Sequence, residues 1–232
     1  MTFASTFSFE RALSIAVSVV LVMFSATVHE VAHGWAALKC GDPTAKEAGR
    51  LTLNPAAHID GFGSVALPLV MALMGGPMFA FAKPVPYNPR RLRSPERDEV
   101  IVALAGPASN IAQALLGTAL LAGALSLDGA ASVVGTSVYI WVLRALASYM
   151  YVNLTLCFFN LIPFPPLDGS KVIMPFLHGE ARERYYRVQA YAMPALIAVL
   201  YVLPSFLGLD PVGAYLDLTA GNIYDLLLMA VM

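Results

Sequence analysis

Charged side chains are scarce in this sequence: 12% of its 232 residues are Asp, Glu, Lys or Arg, and 58% are hydrophobic. Soluble domains carry about 25% charged residues, so the composition indicates an integral membrane protein in contact with a lipid bilayer. The formal net charge is −1, and the basic field typical of nucleic-acid-binding proteins is therefore excluded, so we expect no nucleic acid partner. The only cysteines, Cys40 and Cys157, are far apart and follow no metal-ligand spacing.

Apolar runs recur along the chain, and several reach the roughly 17–25 residues that a helix needs to cross a bilayer. They cover residues 11–38, 99–127, 138–159, 188–206 and 214–232. The first run is interpreted as a retained anchor, because cleavage as a signal peptide near positions 25–27 would remove the apolar helix that precedes the next motif. A sixth run, residues 64–82, is interrupted by Pro68 and by Gly75-Gly76-Pro77.

The basic residues assign sides to these spans. They concentrate at 39–50, 83–97 and 171–187, and the positive-inside rule places all three stretches in the cytoplasm. Two of the stretches flank residues 64–82, which favours a re-entrant hairpin there over an ordinary sixth span. The prediction is a multi-pass protein of the cell membrane.

A short strand is predicted next to the first span. Residues 50–53, with the sequence "RLTL", alternate polar and apolar side chains and are followed by Asn54-Pro55. The predicted fold class is therefore an all-α polytopic membrane protein with about five to six transmembrane helices, a short membrane-associated β element and a re-entrant segment.

Three ionisable groups lie near the end of the first span, in "HEVAH" at residues 29–33. His29 and His33 are four positions apart, so on a helix they share one face at the spacing with which two imidazoles bind one Zn²⁺. Glu30 lies about 100° around the helix from His29, in reach of a general-base role. The alternative is a pair of hydrogen-bonded histidines with Glu30 paired to a cation. If the helix ends near Leu38, His33 and His29 lie about 8 and 14 Å from its cytoplasmic end.

Catalytic zinc needs a third protein ligand, and Asp168 is the candidate. It ends the stretch "FFNLIPFPPLDG", whose prolines forbid a helix directly after the third predicted span. Non-helical backbone at membrane depth is tolerated where it is buried in protein or lines a water-filled cavity. The alternative is that Asp168 belongs to an ordinary Asp-Gly turn.

Three motifs in this order resemble the site-2 protease family of intramembrane zinc metalloproteases: "HEVAH", "AGPASN" at 105–110 and "NLIPFPPLDG" at 160–169. The flanking "GDPTAKEAGRLTLNP" and "AKPVPYNPRRLR" look like its compact members, which lack the PDZ domain of larger ones. The resemblance implies one Zn²⁺ per chain, bound by His29, His33 and Asp168, with Glu30 as the catalytic base. It implies a transmembrane protein as the substrate, and an active site near the cytoplasmic face.

The resemblance also implies substrate contacts. Asn160 is expected to contact the substrate near the metal. A substrate would add as an extended strand to β elements near the site, for which the candidates are Arg50, Leu51, Thr52, Leu53, Gly61 and Gly63. Asn110 and His58 are expected to support the site or the structure, with interhelical hydrogen bonding as the alternative for Asn110 and a cap or surface loop as the alternative for His58.

Two units follow from these assignments. Residues 1–175 are predicted to form the metalloprotease core, and residues 176–232 a C-terminal helical pair that is a candidate substrate gate. Two rival functions use the same ligands: a zinc-binding membrane transporter or sensor, and an inactive protease homologue acting as a binding protein. A transporter needs ionisable groups along the whole membrane path, whereas the outer halves of these spans carry few of them, Arg144 among them.

Overall fold

Three long helices form the framework of the computed structural model, which describes residues 9–61, 83–127, 129–189 and 191–232. They are α1 (Phe9–Lys39), α3 (Pro95–Leu125) and α5 (Thr136–Leu161). Each packs against the other two, and each is long and apolar enough to cross a membrane. They confirm the first three predicted spans.

Shorter helices fill the connections. They are α2 (Thr44–Glu47), α4 (Ala130–Val134), α6 (Asp168–Ile173) and α7 (Glu180–Gln189), with 3₁₀ turns at Pro55–His58, Pro89–Arg91 and Met174–Phe176. Of these, α6 packs against both α3 and α5. After the proline-rich stretch that follows α5, the chain therefore folds back onto the bundle.

The C-terminal part is a bent pair of apolar helices. α8 (Ala192–Ile197) continues as a π-helix to Leu207, and α9 (Pro211–Leu216) continues through Asp217–Gly221 into α10 (Asn222–Val231). The chain bends by 109° between the two arms. Gly208 has a positive φ of 64° at the bend, a conformation that glycine adopts without a steric penalty and that commonly ends a helix.

These observations bear on the predicted fold class in different ways. The described part of the chain is helical and contains three candidate spans, or four if the bent pair is one span, so the count of about five to six is not confirmed. Residues 50–53 form no strand, because a strand needs a hydrogen-bonded neighbour and none of the described segments pairs with them. The predicted re-entrant segment, residues 64–82, lies outside the described residues.

The end of the bundle where α1 finishes is tied together by the buried carboxylate of Asp42. Its oxygens accept hydrogen bonds from the backbone and hydroxyl of Thr44, at 3.0 and 2.5 Å, and from the Asn88 backbone at 2.5 Å. The Arg93 N–H donates to the Cys40 carbonyl at 3.0 Å. The start of α3 is thereby held beside the end of α1, and the basic stretches 39–50 and 83–97 lie together at this end.

Candidate metal centre

His29 and His33 lie on the face of α1 that is buried against α3, with exposed fractions of 5% and 8%. Their rings meet edge to face, with centroids 4.6 Å apart, and the two Nε2 atoms are 3.0 Å from each other. The four-residue spacing in an unbroken helix thus brings the two imidazoles to one point, as the sequence predicts.

Asp168 completes this cluster, although it is more than 130 residues further along the chain. Its Oδ2 lies 3.0 Å from His29 Nε2 and 3.1 Å from His33 Nε2, and its side chain is buried. It is the first residue of α6, directly after the proline-rich stretch. A Cβ on Gly169 would overlap the Leu161 carbonyl oxygen, so the glycine lets the chain fold back tightly enough to bring Asp168 to α1.

The three side chains fit a zinc ion. One ligand atom from each lies within 4.8 Å of the other two, and the measured separations are close to the distance of about 3.3 Å expected between ligands in a tetrahedral zinc site. Two imidazoles and one carboxylate, with a fourth position open, form a ligand set typical of catalytic rather than structural zinc. The structure therefore brings together all three residues that the sequence predicts as ligands.

Each histidine is oriented by a hydrogen bond at Nδ1, the ring nitrogen that points away from the metal position. His29 Nδ1 lies 2.5 Å from Asn110 Oδ1, and His33 Nδ1 lies 2.6 Å from the Val102 carbonyl oxygen. Both partner oxygens belong to α3 and accept the hydrogen bond. The proton of each imidazole is therefore held on Nδ1, which leaves the Nε2 lone pair directed at the metal position.

Lys171 lies beside the second oxygen of the aspartate, with its Nζ 3.5 Å from Asp168 Oδ1 and 5.4 Å from the Tyr87 ring centroid. Burial raises the pKa of Asp168, and the charge of Lys171 lowers it. Burial alone lowers the pKa of Lys171, but the Asp168 charge raises it above the ordinary value. The charge of Lys171 thus favours the carboxylate form of Asp168, the form that binds a metal.

Glu30 lies next to the cluster and is half-buried. Its Oε2 accepts a hydrogen bond from the Val85 backbone N–H at 2.8 Å. Val85 is buried beside Gly34 of α1, so the segment that leads into α3 covers this face of α1. The contact occupies one carboxylate oxygen and fixes the position of the side chain next to the ligands.

The other sequence-predicted residues lie outside the cluster. Asn160 is half-buried and donates to the Leu156 carbonyl of its own helix at 2.9 Å. His58 is buried, with Nε2 2.9 Å from the Thr52 carbonyl oxygen, and Arg50 donates to the Lys83 carbonyl at 2.8 Å. These contacts tie residues 50–58 to residue 83. Leu51 covers Gly34, Leu53 and Gly61 are exposed, and Gly63 lies outside the described residues.

Sequence reasoning did not single out Gly106 and Asn153. A Cβ on Gly106 would overlap His33 Nε2 and the His29 ring, so the glycine makes room for the metal ligands. Its signal was the small-residue motif "AGPASN" at 105–110, which was used only for the family resemblance. Asn153 is a fully buried amide in a span; its signal was the cost of a polar side chain in an apolar helix.

The chain is similar in sequence to known proteins. Residues 119–203 match the model of peptidase family M50. The chain is 36% identical over 191 residues to YwhC of Bacillus subtilis, covering 80% of each protein. It is 28% identical over 183 residues to Rip2 of Mycolicibacterium smegmatis, covering 79% of this chain and 65% of Rip2. Both relatives are named as putative zinc metalloproteases. No solved structure matches.

Proposed function

The chain belongs to the site-2 protease family, peptidase family M50, and is a zinc metalloprotease; we propose that it hydrolyses a peptide bond within or next to a transmembrane segment of a membrane-protein substrate. One observation supports this best. The His29–His33–Asp168 cluster is buried between helices long enough to span a membrane, and His33 lies six residues, about 9 Å, before the end of α1. A substrate bond would reach the cluster from the bilayer.

The reaction divides between the ion and the protein. When bound by His29, His33 and Asp168, zinc supplies a Lewis acid that acidifies water and polarises a carbonyl. Glu30 takes the proton of the attacking water and returns it to the leaving amine. Asn110 and the Val102 carbonyl hold the two histidines, so that the ligands do not reorganise during the reaction.

Substrate binding needs an unwound peptide, because a helical peptide bond is shielded by its own hydrogen bonds. The candidates that would align an extended substrate stay as the sequence predicts them: Arg50, Leu51, Thr52, Leu53, Gly61 and Gly63. Asn160 is the candidate for a contact near the metal. In this role its amide would donate a hydrogen bond to the substrate in place of the one to the Leu156 carbonyl.

The site would lie near the cytoplasmic face of the cell membrane. The basic stretches 39–50 and 83–97 lie at the end of the bundle where α1 finishes, as the Arg93–Cys40 hydrogen bond indicates. Lys171 lies at the same end, beside the Asp168 carboxylate. The positive-inside rule assigns this end of the bundle to the cytoplasm. The cluster, about 9 Å from the end of α1, would then lie in the inner leaflet.

The C-terminal helices, within the predicted unit 176–232, are the candidate gate. They contact α5 through Tyr224, whose ring centroid is 5.4 Å from that of Tyr151. A crevice of about 770 Å³ opens between α1, α5 and Tyr224, and Arg144 lines it. Joining Tyr151→Cys to Tyr224→Cys with a reducible bifunctional thiol reagent, in a chain without Cys40 and Cys157, should abolish cleavage, and reduction should restore it. Full activity of the cross-linked protein would exclude this gate.

The deciding experiment compares zinc content and cleavage in purified protein. The wild type should bind one zinc per chain and cut a model transmembrane peptide. Glu30→Gln should keep the zinc but lose about 10²–10⁴-fold in cleavage rate, because the general base is gone. Asp168→Ala should lose both. Glu47→Gln, which changes a surface carboxylate paired with Arg91, is the matched control and should behave as the wild type.

Two results would contradict the proposal. Cleavage by Glu30→Gln at the wild-type rate would remove the general base from the mechanism. Zinc binding by a wild type that cuts no transmembrane peptide, or transport that is unaffected by Glu30→Gln, would favour a metal-binding membrane protein without protease activity.

A further inference from the structure

A row of buried side chains crosses the bundle and ends on the metal ligand His29. Asn110 of α3 donates through Nδ2 to Asn153 Oδ1 of α5 at 2.8 Å, and Asn153 donates through Nδ2 to Ser25 Oγ of α1 at 3.0 Å. Ser25, Asn110 and Asn153 have no exposed surface. The row therefore starts on α1, passes through α5 and α3, and returns to α1 one helical turn further on, at His29.

The direction of the row is set at its far end. Asn153 Nδ2 also donates to the Tyr149 carbonyl oxygen at 2.9 Å, and a backbone carbonyl can only accept. The nitrogen of the Asn153 amide must therefore face Tyr149, which turns its oxygen toward Asn110. Asn110 must then present its nitrogen to Asn153 and its oxygen to His29.

The last step of the row is the imidazole. Because Asn110 Oδ1 can only accept, His29 must carry its proton on Nδ1, and Nε2 keeps the lone pair that a metal needs. A reversed Asn110 amide would present N–H to His29 Nδ1 and place the ring proton on Nε2. Asn110 sets the tautomer directly, but the orientation of Asn110 depends on Asn153.

We propose that Asn153 is a positioning residue for zinc binding: from a third helix, it orients the Asn110 amide and so holds His29 in the metal-binding tautomer. This inference rests on the proposed ligand set and adds a residue that is neither a ligand nor in contact with one. It also gives the row a role beyond joining helices, since all three spans must be in register for His29 to bind.

A second polar contact between the same helices provides the matched control. The Tyr149 hydroxyl donates to Gln113 Oε1 at 2.9 Å, joining α5 to α3 one turn from Asn153, without reaching His29. Tyr149→Phe removes this hydrogen bond but leaves the Tyr149 carbonyl that orients Asn153. A residue that only joins helices should respond as Tyr149 does.

The test is a zinc titration of the purified full chain with a competing chelator. Asn153→Leu removes the oxygen that accepts from Asn110, and Asn153→Ser replaces it with a hydroxyl one bond nearer the backbone. We expect the zinc Kd to rise about 10- to 100-fold in both, the usual cost of losing an outer partner of a ligand. Asn153→Ser keeps a polar group there and covers the case in which Asn153→Leu does not fold. Asn153→Asp keeps an oxygen facing Asn110 and, as the protonated acid that burial favours, can donate to the Tyr149 carbonyl. Its zinc Kd should stay within about 3-fold of the wild type, a shift of less than 1 kcal/mol.

The outcomes separate this inference from the proposed ligand set. Weaker binding in Asn153→Ser, with Tyr149→Phe unchanged and Asn153→Asp close to the wild type, would support the positioning role. An unchanged Kd in Asn153→Ser, or an equal loss in Tyr149→Phe, would overturn it. His29→Ala is titrated alongside: if it binds zinc as tightly as the wild type, the ligand set itself is wrong and both proposals fail.

Discussion

The two halves of α1 have similar apolar composition but opposite surroundings. From position 13 to 24 no residue is buried, and Val20 is 63% exposed. From position 25 to 37 buried residues recur, beginning with Ser25 and including both histidines. The outer half meets other helices on a narrow strip, whereas the inner half is enclosed by α3, α5 and α6. Within this helix, the enclosed half carries the chemistry.

The same contrast divides α3. Its inner half contains Gly106 and Asn110, in contact with the metal ligands, while a methyl group added to Gly123 near its outer end would meet open space. Polar and close-packed groups thus occur where three helices converge, because a buried polar group is tolerated only with its hydrogen-bond partners in place. Matched substitutions in the two halves test this contrast.

The largest effect is expected at Gly106. Gly106→Ala would push a methyl group into both histidine rings, and we expect zinc binding to weaken about 100-fold, equivalent to the upper cost of overpacking, about 3 kcal/mol. Gly123→Ala should leave zinc binding unchanged and stabilise the helix by about 0.5–1 kcal/mol. The measurements are a chelator titration and thermal unfolding in detergent. Equal zinc affinities for the two variants would break the contrast.

A smaller effect is expected where the connections are capped. Asp42 at the inner end is buried and accepts from Thr44 and Asn88, whereas Asp210 at the bend of the C-terminal pair is exposed and accepts from Gly213 at 2.8 Å. Asp42→Ala should lower the free energy of unfolding by about 2.5 kcal/mol, and Asp210→Ala by about 1 kcal/mol. If chemical denaturation finds equal losses, burial of the cap does not matter.

Asp42 also predicts a pH dependence. Burial raises the pKa of its carboxyl, but the hydrogen bonds from Thr44 and Asn88 outweigh this, so the pKa lies below its ordinary value. A group with a depressed pKa stabilises the fold above its unfolded pKa of about 3.9 and loses this contribution as the pH falls through the folded pKa. Below about pH 4, the unfolding temperature should therefore fall more steeply with decreasing pH in the wild type than in Asp42→Asn. Parallel plots of unfolding temperature against pH would contradict this.

The smallest effect concerns two valines of α1. Val31 is 7% exposed and Val20 is 63% exposed. Val31→Ala should cost about 2 kcal/mol, because it leaves a cavity in the enclosed half. Val20→Ala should change the free energy of unfolding by less than about 0.5 kcal/mol, because no protein neighbour is lost. A cost for Val20→Ala as large as that for Val31→Ala would show that the outer half packs against something in the membrane.

Local rules were sufficient for the histidine pair and the long helices. Two histidines at helical spacing must share a face, and the prolines after Asn160 must end α5, so the first three spans and the histidine pair follow from short-range physics. The approach of Asp168 to that pair does not, because it depends on how α6 packs against the bundle. The strand at 50–53 does not form in the described residues because alternation of side chains supplies no partner. The last two predicted spans form a bent pair, since apolar length alone does not fix the angle at Gly208.

The zinc chemistry and the membrane setting can be inferred from the amino-acid order alone, because ligand type, helical spacing and the cost of placing charge in lipid are local properties. The way in which the ligands are held depends on tertiary packing. Residues 25, 110 and 153 belong to three different helices, and their hydrogen bonds exist only once those helices are packed in one register. Their pairing depends on distances across the bundle, which no local pattern in the chain specifies.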